Sequence, residues 1–250
     1  MNLTFAKHVF GGLLSAVILS APLGATSIGA GQFNLAGNLY INTTSVLFGL
    51  NSVPPPGDQL AAIQLPETGP FSGLLPSGPP ATIHNIPMNP AFPSGALSLP
   101  QWIVLPNGID VDLQNVPINQ SIAVCTGTSA DNGIGNSCRP NTGSPIVLTE
   151  TTTGVTAKLN VLGIAYSGTS TTGSSSLSGL LSANFDSDTI SGLLSAFAPG
   201  GSGFVNTSYS GNFTVTPSSG VPEPSMLAGF GLGMLALGFY RRKRTGGQAK

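Results

Sequence analysis

The chain has 250 residues, of which 40% are hydrophobic and only 7% charged, with 34 glycines and 21 prolines. An ordinary soluble domain carries about 25% charged residues, so hydroxyl and amide side chains must supply most of this protein's polar surface, as suits a chain working outside the cell. The formal net charge of −1 hides an acidic body and a basic end: residues 26–220 hold eight acids and two bases, Arg139 and Lys158, which argues against nucleic acid as a partner because binding phosphate needs clustered Lys and Arg.

Residues 1–25 carry one Lys, an apolar stretch from Val9 to Leu19, then Pro22 and small residues. This is the layout of a secretory signal peptide. Cleavage after Ala25 or after Ser27 satisfies the small-residue pattern. The apolar core is shorter than the roughly 20 residues that a spanning helix requires, which disfavours an uncleaved anchor.

Residues 26–220 form the expected exported domain. Pro and Gly punctuate it, and several windows alternate apolar with polar residues: Phe33 to Gly49, QWIVLP, GIDVDLQNV, SPIVLTETTT, VTAKLNVLGIAYSG and NTSYSGNFTVTP. The expectation is a mainly β fold, an antiparallel sandwich or barrel. The proline-rich stretch 53–100 reads as long loops with at most one or two edge strands. The hexapeptide SGLLSA occurs at Ser178 and again at Ser191, and FSGLLPSG near Ser72 echoes it. The spacing is too irregular for a repeat architecture, leaving a local hairpin or a short helix.

Cys125 and Cys138, the only cysteines, bracket a run of turn formers. In an exported chain a pair this close is expected to be a disulfide. Asp110 and Asp112 stand two apart in GIDVDLQ, which on a strand places both carboxylates on one face. Asn184, Asp186 and Asp188 resemble the opening of a calcium loop, but Thr189 replaces the turn glycine and Ser195 the bidentate Glu, so solvated loop carboxylates are the better reading and no metal is expected. No GxSxG elbow is present, and His84 is the body's only histidine, so no catalytic residue and no cofactor are assigned. Trp102, beside Ile, Val and Leu, reads as core in preference to a sugar-stacking platform.

The C-terminal segment 221–244 has three parts: Pro222, Glu223 and Pro224; the uncharged apolar run 226–240; and the basic cluster Arg241, Arg242, Lys243 and Arg244. As a helix the apolar run would reach about 22 Å, short of the roughly 30 Å hydrocarbon core, with arginine stems and Tyr240 making up the difference at the interface. The basic cluster would stop transfer and hold residues 245–250 in the cytoplasm. This constellation resembles the sorting signal of PEP-CTERM proteins. The resemblance implies an exported protein, held in the inner membrane and processed at or near Pro222–Pro224 by exosortase, a membrane cysteine transpeptidase. More loosely, SYSGNFTVTP resembles the last strand of β-sandwich domains that precede such tails. The expected function is structural or adhesive, at the cell surface or within an exopolysaccharide or biofilm matrix, and not enzymatic. A carbohydrate-binding module is the alternative, with a secreted hydrolase behind it.

Overall fold

Alternation of apolar residues with Asn, Ser and Thr is sustained over long stretches of this chain, and it lets a strand bury one face while the other stays in water. The computed structural model describes residues 28–42, 45–51, 59–87, 96–168, 171, 173–197 and 203–218. The expected signal peptide 1–25, the Pro222–Pro224 tripeptide, the apolar run 226–240 and the basic cluster Arg241–Arg244 lie outside those residues.

The strands are β1 (Gly31–Asn42), β2 (Ser45–Gly49), β3 (Leu60–Thr68), β4 (Ala81–Ile83), β5 (Ile86–Pro87), β6 (Ala96–Val104), β7 (Ile109–Asn115), β8 (Ser137–Cys138), β9 (Ile146–Glu150), β10 (Gly154–Ser167), β11 (Ser175–Asp186) and β12 (Phe204–Thr216). Strand β1 pairs with β3, and the chain of antiparallel pairs runs on through β4, β6, β7, β10, β11 and β12. Strand β12 then pairs with β1 along its whole length, from Gly31↔Val215 to Asn42↔Phe204, which closes an eight-stranded barrel. Neighbours around the ring follow chain order, so the barrel is of the up-and-down kind. Of the two expected architectures, sandwich and barrel, the barrel forms, because closure pairs β12 with β1 and leaves the main ring no edge.

Two long strands carry extensions. The second half of β1 pairs with β2, which meets β5, and the first half of β10 pairs with β9, which meets β8.

The stretch 53–100 corrects the expectation of long loops: β3, β4, β5 and the start of β6 lie in it, and three of these belong to the barrel wall. Proline is tolerated there because it sits where the ladder is already interrupted. Pro66, after a cis Leu65–Pro66 bond, falls in β3 where the register against β1 shifts between Gln32 and Asn34. Pro100 falls in β6 between Leu99 and Ile103, where the register against β7 shifts.

The single α-helix among the described residues, α1 (Ile190–Phe197), contains the second SGLLSA, whereas the first lies in β11. Identical residues take two conformations because their flanks differ. In β11, Leu177, Leu181, Ala183 and Phe185 keep a period of two and face inward. In α1, Ile190 and Phe197 complete an i, i+3, i+4, i+7 stripe with Leu193 and Leu194. Neither this helix nor any other among the described residues is long and apolar enough to cross a membrane.

The barrel interior is packed with rings. Phe33 stacks on Phe213 with centroids 4.8 Å apart and meets Phe71 at 4.9 Å, and Trp102 lies edge-on to Phe213 at 6.0 Å. Small inward residues make room for them, among them Gly179, Gly211 and Ala165. Burying side chains of this size contributes about 1.5–3 kcal/mol each. Outward positions on β10, β11, β12 and β1 are mostly Asn, Ser and Thr, the reverse of a membrane-spanning barrel, whose outer band is apolar.

Candidate functional sites on the barrel and at the C-terminus

An eight-stranded barrel either fills its lumen with side chains or keeps a chamber for one small ligand. This one is filled. The void among Leu39, Ile41, Phe48, Leu159, Leu181 and Tyr209 measures about 20 Å³, room for about one water. The Tyr209 hydroxyl and Trp102 Nε1 are buried without a hydrogen-bond partner among the described residues, and burial pushes the Tyr209 hydroxyl pKa upward. Trp102 is fully buried against Phe48 and Phe213, so it takes the core role.

At one end, Cys125 and Cys138 form a disulfide with an S–S distance of 2.10 Å. The loop they close is tied internally. Beside it, Arg139 is buried, its Nε donating to Ile122 O at 2.8 Å and its guanidinium NH1 to Thr142 O at 2.7 Å. Burial by itself would raise the Asp131 carboxyl, but hydrogen bonds from Thr126, Gly127 and Thr128 hold it below the ordinary carboxylate range. The loop supplies one cap of α1, through Asn132, and Glu150 of β9 and Thr189 supply two more. A helix start leaves four backbone N–H groups unpaired, and here Ile190 N donates to Glu150 Oε2, Ser191 N to Asn132 Oδ1 and Gly192 N to Thr189 Oγ1. This lobe is structural in its chemistry, because each of these polar groups is consumed internally.

The acidic pair does share an outward face of β7, and its partners show its use. Asp112 Oδ1 accepts Gln101 N at 2.7 Å and the Tyr166 hydroxyl at 2.8 Å, while Asp110 Oδ2 accepts Gln101 Nε2 at 3.0 Å. Gln101 has φ 50° within the irregular part of β6. Asp112 therefore satisfies a backbone N–H that the bulge takes out of the ladder, and Asp110 holds the Gln101 side chain. Asn184 accepts from Thr156 Oγ1, and Asp186 and Asp188 are exposed at the turn before α1. Among the described residues no group of three or more His, Cys, Asp or Glu could hold a metal ion. His84 is exposed, with Nδ1 2.8 Å from Gln59 Oε1.

A groove of about 460 Å³ opens on the outer wall of the barrel, lined in part by Asn34, Gln64, Leu65, Leu180, Ser210 and Asn212. Strand register builds it. Asn160 pairs with Leu180, Leu180 with Asn212, Asn212 with Asn34, and Asn34 with Gln64, one continuous rung of amides around a leucine. The next rung sets Ser182 beside Ser210 and Ala36 beside Ala62. Within the groove Asn212 Nδ2 donates to Asn34 Oδ1 at 2.5 Å, and Asn34 Nδ2 to Pro66 O at 2.8 Å. Sequence reading missed these residues. Their outward alternation was visible, but the register that aligns them was not.

A closed, filled, mainly β body followed in sequence by a proline-bracketed acid, an apolar run and a basic cluster has the build of an exported protein with a terminal sorting signal. Residues 220–244 match the family model of the PEP-CTERM protein-sorting motif, and the chain carries that motif at those positions. The motif is associated with exosortase processing of exported proteins that are first anchored in the membrane. No curated protein and no solved structure matches the chain.

Proposed function

We propose that the chain is an exported surface protein whose barrel serves a structural or adhesive role in an extracellular polysaccharide matrix, and that it is the substrate, not the catalyst, of the processing step. The signal peptide at 1–25 starts export, the apolar run 226–240 holds the chain in the inner membrane with Arg241–Arg244 on the cytoplasmic side, and exosortase acts at or near Pro222–Pro224. The PEP-CTERM motif at residues 220–244 carries this reading. Its chemistry supports it: the prolines on either side of Glu223 lack amide donors and have a fixed φ, which disfavours a regular helix or a sheet ladder at a processing signal. A barrel whose lumen is filled and whose surface is largely uncharged fits a passive matrix component.

The test is the intact mass of the full chain recovered from the envelope and the medium of a host carrying exosortase, compared with the same host lacking it. The expected result is removal of the segment beyond the tripeptide only where the enzyme is present. An untrimmed carboxyl end in both hosts refutes the reading.

A further inference from the structure

The outer groove is a sizeable concavity lined by amides and hydroxyls, several of which, Gln64, Ser182 and Ser210 among them, stand on the outer face of the wall. Its volume, about 460 Å³, lies in the range of about 300–1,000 Å³ typical of small-molecule clefts. Among the described residues no ionised side chain lines it. A charged ligand entering it would shed water without meeting an opposite charge, an unfavourable exchange. The groove offers amides and hydroxyls, which both donate and accept. Two of the amides, Asn212 and Asn34, are fixed by hydrogen bonds to Asn34 and to Pro66, so little rotamer freedom remains to be lost on binding. Leu65, 65% exposed, and Leu180, 37% exposed, supply apolar surface among these amides. Successive rungs lie about 7 Å apart along the strands, so the pattern extends along the strand direction.

Alternating polar and apolar contacts without charge match a sugar ring, whose hydroxyls lie around its rim and whose C–H groups form its faces. We propose that this wall, centred on Asn34, Gln64, Leu180 and Asn212, binds a segment of neutral polysaccharide. The proposal rests on the reading of a matrix protein given above and names the site at which matrix and protein meet.

Calorimetric titration of the full chain in a zwitterionic, sugar-free detergent tests it, with cellohexaose and mannohexaose as neutral probes and hexagalacturonate as the acidic one. At least one neutral hexasaccharide binds, hexagalacturonate binds at least about tenfold more weakly, and Gln64→Ala and Ser210→Ala each weaken the neutral ligand about fivefold, the size of one hydrogen bond. Both positions lie on the exposed face, so an unchanged melting temperature in each variant separates lost contacts from lost fold. The proposal is overturned if neither neutral probe binds, if the acidic probe binds as well as they do, or if a variant carrying both Gln64→Ala and Ser210→Ala retains full affinity. Loss of glycan binding would leave the carboxyl-terminal processing result unaffected, and an untrimmed chain would leave the binding isotherm unaffected, so the two readings fail separately.

Discussion

The buried carboxylate of Glu150 accepts the backbone N–H of Ile190 at 2.9 Å, joining the end of β9 to the first turn of α1 across 40 residues of chain. An eight-residue helix has no independent stability in water, so α1 exists through its packing and these caps. Glu150→Ala leaves a buried N–H unpaired and is expected to destabilise the protein by about 1–3 kcal/mol. Glu150→Gln keeps an acceptor oxygen in the same place and is expected to lose less. Urea denaturation of the three proteins checks the order.

The Cys125–Cys138 bridge spans a sequence separation of 13, and on the chain-entropy account a loop of that size is worth about 3 kcal/mol. Asn132, inside the loop, also holds the Ser191 N–H and hydroxyl of α1. Cys125→Ala with Cys138→Ala is therefore expected to lower the melting temperature by about 6–12 °C and to reduce the helical circular dichroism on the way. A loss of stability with α1 unchanged would separate the disulfide from the cap.

Much of the β content was legible because its signal is local. Phe33–Gly49 gives β1 and β2, and the windows around Ile109, Ile146, Val155 and Tyr209 give β7, β9, β10 and β12. Barrel closure was not legible, since β12 pairs with β1 across nearly the whole domain and no local pattern encodes that choice. QWIVLP gives the second half of β6, but its start through Pro100 and the strand around Pro66 were hidden, because proline argues against a strand unless a bulge accommodates it. For the repeated hexapeptide a hairpin and a short helix stood open, because its six residues are the same in β11 and α1. Ile190 and Phe197, which flank the second copy, complete the helical stripe that decides it. Of the candidate sites, the cysteine pair and the C-terminal motif were readable from order alone. The groove required register.

Tyr166 donates its hydroxyl to Asp112 Oδ1 at 2.8 Å. Burial first, then that hydrogen bond and the charges of Asp112 and Asp110, push its pKa up from 10.0 to about 12. The unfolded chain thus ionises this tyrosine before the folded one does. Its contribution to stability is full below about pH 10 and is lost as pH rises through about 12. Asp112→Asn removes one charge and is expected to move the Tyr166 step downward, though not fully to 10 because burial remains. Ultraviolet titration of tyrosinate checks this, with Tyr166→Phe identifying the step. An unmoved step in Asp112→Asn would show that Asp112 adds nothing, leaving burial and the charge of Asp110.

Gly179 pairs with Phe213 across β11 and β12, and a Cβ at 179 would stand 2.4 Å from Phe213 Cδ1 and 2.9 Å from Val161 Cγ2. The ring has little room to retreat. It is stacked on Phe33 at 4.8 Å and met edge-on by Trp102 at 6.0 Å, so a shift at 213 must propagate through the aromatic centre of the barrel. Gly179→Ala is accordingly expected to cost about 1–3 kcal/mol by overpacking. Gly73→Ala, where a Cβ would meet nothing within 4 Å, is expected to be neutral and serves as the control. Adding Phe213→Leu to Gly179→Ala relieves the clash while removing ring contacts, so the double variant should lose less than the sum of the two single losses. A thermal-melt cycle measures that coupling. Strict additivity would mean that the wall, not the ring, absorbs the new methyl, and that the glycine is present for the strand's sake and not for the packing of the lumen.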